Sequence, residues 1–239
     1  MVTAHWTFTH ANFISHFYFS LFMSQQQIKL PENISAELAE ESGWHLGDGS
    51  MNFYKGKGLY QLRGHIKDDR EHYEERIKNF YKLLYGVDVH LRDMPKTGVM
   101  GFQIWSDEIV KFKHEFLNLP LGRKLNFCMP KILKKFVIDF IRGLFDTDGT
   151  LFLEKKREKL YPRVHISTTS QILATEVCEE LKNLGLRATV RRLKRKEANW
   201  NDLHIISVRG DEMVKKWIRI IKPANPKHIQ KFEFYLENS

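Results

Sequence analysis

Asp48 and Asp148 each stand just before a glycine and just behind a helix-like segment, in Gly43-Trp-His-Leu-Gly-Asp48-Gly49 and Gly143-Leu-Phe-Asp-Thr-Asp148-Gly149. A chain that builds the same acidic helix end twice, one hundred positions apart, is expected to bring the two ends together. A carboxylate at a helix C-terminus faces the negative end of the macrodipole, and a second carboxylate beside it adds like-charge repulsion. A divalent cation relieves both. Oxygen donors from Asp48 and Asp148, with the carbonyls of Gly47 and Thr147 nearby, suit Mg²⁺ or Mn²⁺; Mg²⁺ keeps several waters and accepts phosphate oxygens. Metals held between paired acids can activate water and stabilise the leaving oxygen of a phosphodiester.

The elements that must position these acids are repeated as well. Pro31 and Pro130 each precede about five helical turns ending in the acidic motif. Asp107-Glu-Ile-Val-Lys111 matches Asp211-Glu-Met-Val-Lys215, and Pro120-x-x-x-Lys124 matches Pro223-x-x-x-Lys227. The offset drifts only from 99 to 104, so insertions are confined to loops. The chain of 239 residues therefore divides into an extension over 1–30, a first unit over 31–119, a linker over 120–130 and a second unit over 131–239.

In the first unit the patterning predicts a helix from Ser35 to Leu46, capped by Asn33 or Ser35. Strands Met51–Lys55 and Leu59–Ile66 follow, then a helix from Asp69 to Tyr85 closed by Gly86, strands Val87–Arg92 and Val99–Trp105, and a helix from Asp107 to Leu119. The second unit repeats the order: helix Lys131–Thr147, strands Leu151–Lys155 and Arg163–Thr168, helix Gln171–Leu184, strands Ala188–Lys194 and Leu203–Arg209, then helices Asp211–Ile221 and Pro226–Leu236. The class is α+β, two αββαββα units. The helix from Lys131 carries one apolar stripe, Ile132, Leu133, Phe136, Val137, Phe140, Ile141, Leu144 and Phe145. Its other face carries Gly143 and Thr147, matched by Gly43 and Gly47. Small residues four apart let two helix backbones approach closely.

The formal charge of +9 lies wholly in the second half: residues 1–126 carry 15 basic and 15 acidic side chains, residues 127–239 carry 23 and 14. Such asymmetry points to an anionic partner, nucleic acid first. Cys128 and Cys178 are the only cysteines, with no CxxC pair, which argues against a disulfide scaffold or zinc site and fits a reducing, intracellular setting, cytoplasmic or organellar. The apolar run Phe13–Met23 is interrupted by Ser15 and His16 and is too short for a membrane span. Residues 1–30 lie outside the repeat and are expected to be a strand or arm packed on a unit, or an extension of the reading frame.

These residues resemble the LAGLIDADG homing endonucleases, of the single-chain type with two motif copies. The second copy, Ile141-Arg-Gly-Leu-Phe-Asp-Thr-Asp148-Gly149, is a good match; the first, Glu41-Ser-Gly-Trp-His-Leu-Gly-Asp48-Gly49, is degenerate but keeps its small residues and final Asp-Gly. The resemblance covers about residues 31–237. It implies saddle-shaped antiparallel sheets, motif helices packed at a pseudo-twofold axis, and catalytic divalent metals on Asp48 and Asp148. It also implies that Lys124 and Lys227 are active-site lysines, which would offset charge developing at a scissile phosphate. The implied activity is a double-strand break in a long DNA site by an intron-encoded monomer. A cleavage-inactive relative, an RNA maturase or DNA-binding regulator, stays open as the alternative, with RNA as a second ligand. Three departures stand out: Arg142 where the motif has a small residue, Glu41 where it has an apolar one, and Leu46 in place of the first carboxylate of motif one.

Strand alternation then nominates the DNA-facing side chains. In the first unit these are Gln61, Arg63 and His65; Asp88, His90 and Arg92; Gln103 and Trp105. In the second they are Arg163, His165 and Ser167, with Val164 and Ile166 inward; Arg187, Thr189 and Arg191, with Ala188 and Val190 inward; and Ile205, Ser207 and Arg209, with Ile206 and Val208 inward. Two rivals are weaker. Phe145-Asp-Thr-Asp-Gly-Thr-Leu151 also resembles the haloacid dehalogenase phosphatase signature, which needs a buried strand before it, whereas the preceding segment has a four-residue period. An intein is not expected, because Leu236-Glu-Asn-Ser is not a His-Asn splice end. The charge distribution makes a prediction. Affinity for DNA should fall steeply with salt, log K roughly linear in log salt, and losing Arg187, Arg191 or Arg209 should weaken binding more than losing one arginine of the neutral first half; binding isotherms across a salt series check this.

Overall fold

A computed structural model describes residues 27–195 and 200–239. The expected arm over 1–30 lies outside this range apart from residues 27–30, where the Lys29 amide donates to the Tyr85 carbonyl at 3.0 Å.

Helix α1 (Ala36–Gly47) starts at Ser35, whose hydroxyl accepts from the Leu38 amide. Strands β1 (Gly49–Tyr54) and β2 (Lys57–His65) follow. A π-helical stretch, His72–Ile77, leads into α2 (Lys78–Tyr85), closed by Gly86 at φ +67°. Next come β3 (Arg92–Met94), β4 (Val99–Trp105) and α3 (Asp107–Lys111), the last running on as a π-helical segment over Phe112–Phe116. In the second unit a 3₁₀ segment, Lys131–Phe136, enters α4 (Val137–Asp148). It continues as β5 (Gly149–Lys156), β6 (Lys159–Thr168), α5 (Gln171–Asn183), β7 (Ala188–Leu193), β8 (Leu203–Arg209), α6 (Asp211–Ile221) and α7 (Pro226–Glu237). Both sheets are antiparallel, in the orders β1-β2-β4-β3 and β5-β6-β8-β7. The predicted duplication is therefore present in the topology, and the segment before Asp148 is helix, which removes the phosphatase reading.

Three expectations are corrected. The strand predicted over Val87–Arg92 pairs only from Arg92 to Met94; Val87 and Val89 are buried all the same, so side-chain alternation holds where the ladder does not. The first turns after Pro130 are 3₁₀ rather than α, which rotates Ile132 out of the stripe to 43% exposure. In the second sheet Val190 is 37% exposed on the edge strand, while Ile205 and Ser207 are buried on the central one. Ser207 is short and lies on the central strand in register between His165 and Thr189.

Helices α1 and α4 cross through their glycines. A Cβ on Gly43 would stand 2.3 Å from the Phe140 carbonyl oxygen, and one on Gly143 would stand 2.0 Å from that of Glu40. The two charged motif departures, Glu41 and Arg142, are each satisfied without a side chain entering this crossing. Glu41 is fully buried in the first unit, ion-paired with the equally buried Lys113 and accepting from the hydroxyls of Tyr60, Tyr81 and Tyr85. Arg142 reaches over the interface to Glu40 at 3.0 Å, while Arg76 holds the same carboxylate at 2.6 Å from the first unit. Arg142 also binds Asp139 and donates to the Ile221 carbonyl. Removing one partner of a buried ion pair leaves the other charge uncompensated. Glu41→Leu should therefore lower unfolding free energy by about 3–5 kcal/mol, and adding Lys113→Met should recover most of the loss; chemical denaturation of the single and double variants measures both.

Candidate active site and nucleic-acid interface

The crossing delivers both acids to one place. Gly47 and Thr147 face each other so closely that a Cβ on Gly47 would lie 2.0 Å from Thr147 Oγ1 and 3.4 Å from the Asp148 carboxyl carbon. Asp48 is the C-cap of α1, its amide donating to the Trp44 carbonyl at 2.9 Å, and its Oδ2 accepts from Tyr73 OH at 3.1 Å. Burial pushes Asp48 up to about 7, with the charges of Asp148 and Asp69 adding, against the Tyr73 hydrogen bond and Lys227. Burial also pushes Asp148 up to about 6, opposed by Lys124 and Lys227. The repulsion belongs to the pair and raises its joint affinity for a proton. Asp148 itself opens to solvent in the cleft, which screens its share.

The two lysines arrive from matching turns and are held differently. Lys124 Nζ caps α1, donating to the carbonyls of Leu46 at 2.9 Å and His45 at 3.2 Å and closely to that of Gly47. This neutralises the negative helix end, and burial lowers the lysine below its ordinary value while Asp148 and Asp48 pull it back up. Lys227 Nζ instead meets Asp69 Oδ1 at 2.7 Å, a carboxylate of the other unit. Although burial works against ionisation of Asp69, Lys227, the His65 amide and Asn225 hold it below the usual carboxylate range. Asn225 Nδ2 bridges Asp69 Oδ1 (2.8 Å) and the Asp146 carbonyl (2.9 Å), and the Asp146 carboxylate accepts from the Ala224 and Asn225 amides. Asp146 is thus a structural clasp on the turn that carries Lys227, and burial pushes it up to about 7.

Above the acids lies an open cleft of about 420 Å³, lined by Asp48, Arg63, His65, Asp69, Thr147, Asp148, Thr150 and Lys227 among others. A roomier cavity, about 680 Å³ beside Ile28, Val87 and Trp105, has Asp107 and Glu108 in its lining rather than Asp48 and Asp148. The six residues expected to serve catalysis and metal, Asp48, Asp148, Lys124, Lys227, Gly47 and Thr147, all sit at this junction. The expected readers spread outward from it. Gln61 Nε2 donates to Gln103 Oε1 at 3.3 Å, and Trp105 is 54% exposed. Asp88, His90 and Arg92 are exposed at the sheet edge, where Lys82 pairs with Asp88. Arg163, His165 and Ser167 are half-buried, and Arg187, Thr189, Arg191 and Arg209 are exposed. Burial and the charges of Arg209, Arg191 and Arg163 hold His165 below its ordinary value, so these arginines form one positive field. Ser207, being buried, does not belong to that surface.

Sequence reasoning missed Asp69, Tyr73 and Asn225. Asp69 occupies a helix start, where an acid reads as an ordinary N-terminal charge. Tyr73 reaches Asp48 from the π-helical stretch, whose rotation no 3.6-residue period foretells.

The donor set fits a hard divalent cation: two crowded carboxylates, Asp48 half-buried and Asp148 open to the cleft, that gain from a positive neighbour. Among the described residues no group of three or more His, Cys, Asp or Glu converges, so water and phosphate oxygens would complete the shell, as Mg²⁺ prefers. The Gly47 carbonyl is already engaged by Lys124.

The family model of the LAGLIDADG-like domain matches residues 135–222. Over 80% of the chain the fold is that of a solved LAGLIDADG homing endonuclease. Mesophilic variants of the homing endonuclease I-DmoI superpose with TM-score 0.55 at 16% identity, over 80% of this chain and 97% of theirs. I-DmoI in complex with DNA and Mn gives 0.53 at 18%, over 80% and 97%. The LAGLIDADG meganuclease I-AabMI, bound to uncleaved DNA, gives 0.52 at 11%, over 83% and 88%. Among curated sequences, 198 residues are 24% identical to glutamine–fructose-6-phosphate aminotransferase of Methanocaldococcus jannaschii, 80% of this chain but 17% of that protein. A further 24% match, over 168 residues, is to an uncharacterized protein of the same organism, of which it covers 59%. The chain thus spans less than two thirds of either curated relative.

Repulsion at the acid pair predicts a pH-dependent stability. Asp48 and Asp148 lie near 7 and 6 when folded, against 3.8 ordinarily. They therefore favour the folded state at low pH and lose that contribution as pH rises through 6–7. In chelator at pH 8, Asp48→Asn should be about 1–2 kcal/mol more stable than the parent, and Asp148→Asn about 0.5–1 after solvent screening; both differences should shrink as pH falls and vanish below the ordinary 3.8, where the acids are protonated in the unfolded chain as well. Buried His72 and His228, held near 3, destabilise the fold below about 6.5 in all three proteins alike. Thermal unfolding of the three proteins across pH reads the difference.

Proposed function

We propose that this protein is a divalent-metal-dependent DNA endonuclease that breaks both strands of a long recognition site, acting as a monomer in intron homing. The observation that carries the reading is the convergence of Asp48 and Asp148 with Lys124 and Lys227 at the glycine-packed ends of α1 and α4, between two sheets that present arginines, amides and an imidazole. The neighbours of the same fold include complexes of I-DmoI with DNA and Ca or Mn, which supports a duplex partner and a metal.

In this reading Asp48 and Asp148 hold Mg²⁺ or Mn²⁺, with the Gly47 and Thr147 carbonyls beside them. When bound, the metal supplies Lewis acidity toward a phosphodiester and lowers the pKa of water. The protein's own groups do the rest. Tyr73 OH orients the Asp48 carboxylate. Lys124 and Lys227 place positive charge at the cleft, where a phosphate in the transition state gains negative charge. Asp69 and Asn225 fix the Lys227 side. The sheets bind the duplex on either side, with phosphate contacts setting register and base edges setting choice.

Cleavage of a randomised duplex library in Mg²⁺ or Mn²⁺ tests the proposal. Asp48→Asn and Asp148→Asn should each reduce double-strand cleavage by about a hundredfold or more while duplex affinity stays within about threefold, since the readers lie elsewhere. Retained cleavage in both variants removes these acids from the mechanism. Binding without cleavage in either metal assigns the chain to the alternative, a cleavage-inactive DNA- or RNA-binding protein on the same fold.

A further inference from the structure

The end of the first sheet farthest from the cleft carries a surface that the proposed chemistry leaves unused. In the β2–β4 ladder Arg63 stands opposite Gly101, Gln61 opposite Gln103, and Leu59 opposite Trp105. Alternation places Leu59, Gln61 and Arg63 on one face together with Gln103 and Trp105, while the intervening Tyr60 and Ile104 are buried in the core. Arg63 is at the cleft, where its amide meets the Asp48 carbonyl at 3.3 Å. Leu59 lies four residues away, about 13 Å at roughly 3.3 Å per strand residue, or about four base-pair steps of roughly 3.4 Å.

Trp105 and Tyr54 are 54% and 53% exposed there, with Leu59 between them at 9%. Together with Lys55 and Lys57 they line a shallow, almost wholly apolar hollow of about 570 Å³. The second sheet differs at the equivalent place. Its register sets Arg163 opposite Arg209 where the first sets Leu59 opposite Trp105, and Glu154 stands where Tyr54 does. The same position in a duplicated frame is thus an apolar patch in one unit and a guanidinium pair in the other.

We propose that Trp105, Leu59 and Tyr54 form an apolar reader for the 5-methyl groups of thymines in the major groove, at the outer end of the first half-site. This rests on the DNA reading given above and adds which base the surface prefers. Of the four bases only thymine offers a methyl group in that groove. The patch is continuous with the Gln61–Gln103 amide pair, whose chemistry suits adenine, and Lys55 and Lys57 at its rim complement flanking phosphates. In the second sheet Arg163 is ion-paired with Glu154 and Arg209 is exposed beside it, a charged position that suits a guanine edge or a phosphate instead. The two half-sites should therefore differ in kind at this position.

The test begins with the duplex that the full chain selects from a randomised library. Each outer thymine is then replaced by deoxyuridine, which keeps the base pair and removes only the methyl group. Parent protein should bind about three- to fourfold more weakly per buried methyl lost, in one half-site only. Trp105→Ala should bind the parent duplex more weakly and show no further loss with deoxyuridine; Tyr54→Ala should show a partial response. Arg209→Ala, altered in the other sheet, should keep the full methyl dependence. Trp105 is exposed, and unchanged melting of its variant separates loss of reading from loss of fold. Absence of thymine from the outer positions, no effect of deoxyuridine in either half-site, or an effect that persists in Trp105→Ala overturns the assignment, including the case in which another segment of the chain covers the patch. Failure to enrich any duplex at all would overturn the DNA reading itself.

Discussion

The closeness of α1 and α4 is the constraint on which the rest depends. Gly43 and Gly143 each occupy a place where a Cβ would enter the partner helix's backbone, and packed interiors do not absorb an overlap of that size. Once the helices cross there, their C-termini must end side by side, and whatever residue follows each last turn is delivered to the junction. Asp48 and Asp148 are those residues. The fold thus sets two like charges at two negative helix ends, an arrangement unfavourable in isolation that a cation or a proton relieves.

Charged side chains at the motif departures are compatible with this crossing because each finds an ionic partner. Glu41 points into its own unit, where Lys113 and three tyrosine hydroxyls satisfy it. Arg142 lies along the seam and shares Glu40 with Arg76, so one buried carboxylate ties the two units together. Such networks contribute orientation more dependably than net stability, since desolvation offsets much of the Coulomb gain. Here the orientation they fix is that of the helices whose ends carry the acids.

Duplication has not produced equivalence. One lysine caps a helix through backbone carbonyls and the other is clamped by a carboxylate from across the interface. Residues one hundred positions apart show the same divergence: Asp69 holds Lys227 Nζ, whereas Thr169 Oγ1 donates to the Lys124 carbonyl at 2.7 Å. The sheets differ in the same way, apolar in one unit where the other places two arginines. A pseudo-symmetric scaffold therefore presents an asymmetric surface.

Much of this was legible in the residues themselves. Composition and the repeat fixed the class, the two units and the convergence of Asp48 with Asp148, because a duplicated motif with small residues four apart admits few packings. Strand alternation placed Gln61, Arg63, Gln103, Arg163 and Arg191 correctly, since a period of two is a local property of the backbone. It failed at Ser207 and Ile205, where burial depends on neighbouring strands, and at Val190, where an edge leaves a side uncovered. Tertiary structure alone decided that Asp69 meets Lys227 and Asn225, that Tyr73 meets Asp48 and that Glu41 has a buried lysine. These partners lie between 25 and 158 residues apart, and two of them, Tyr73 and Lys113, sit in π-helical turns whose altered rotation leaves no period in the sequence.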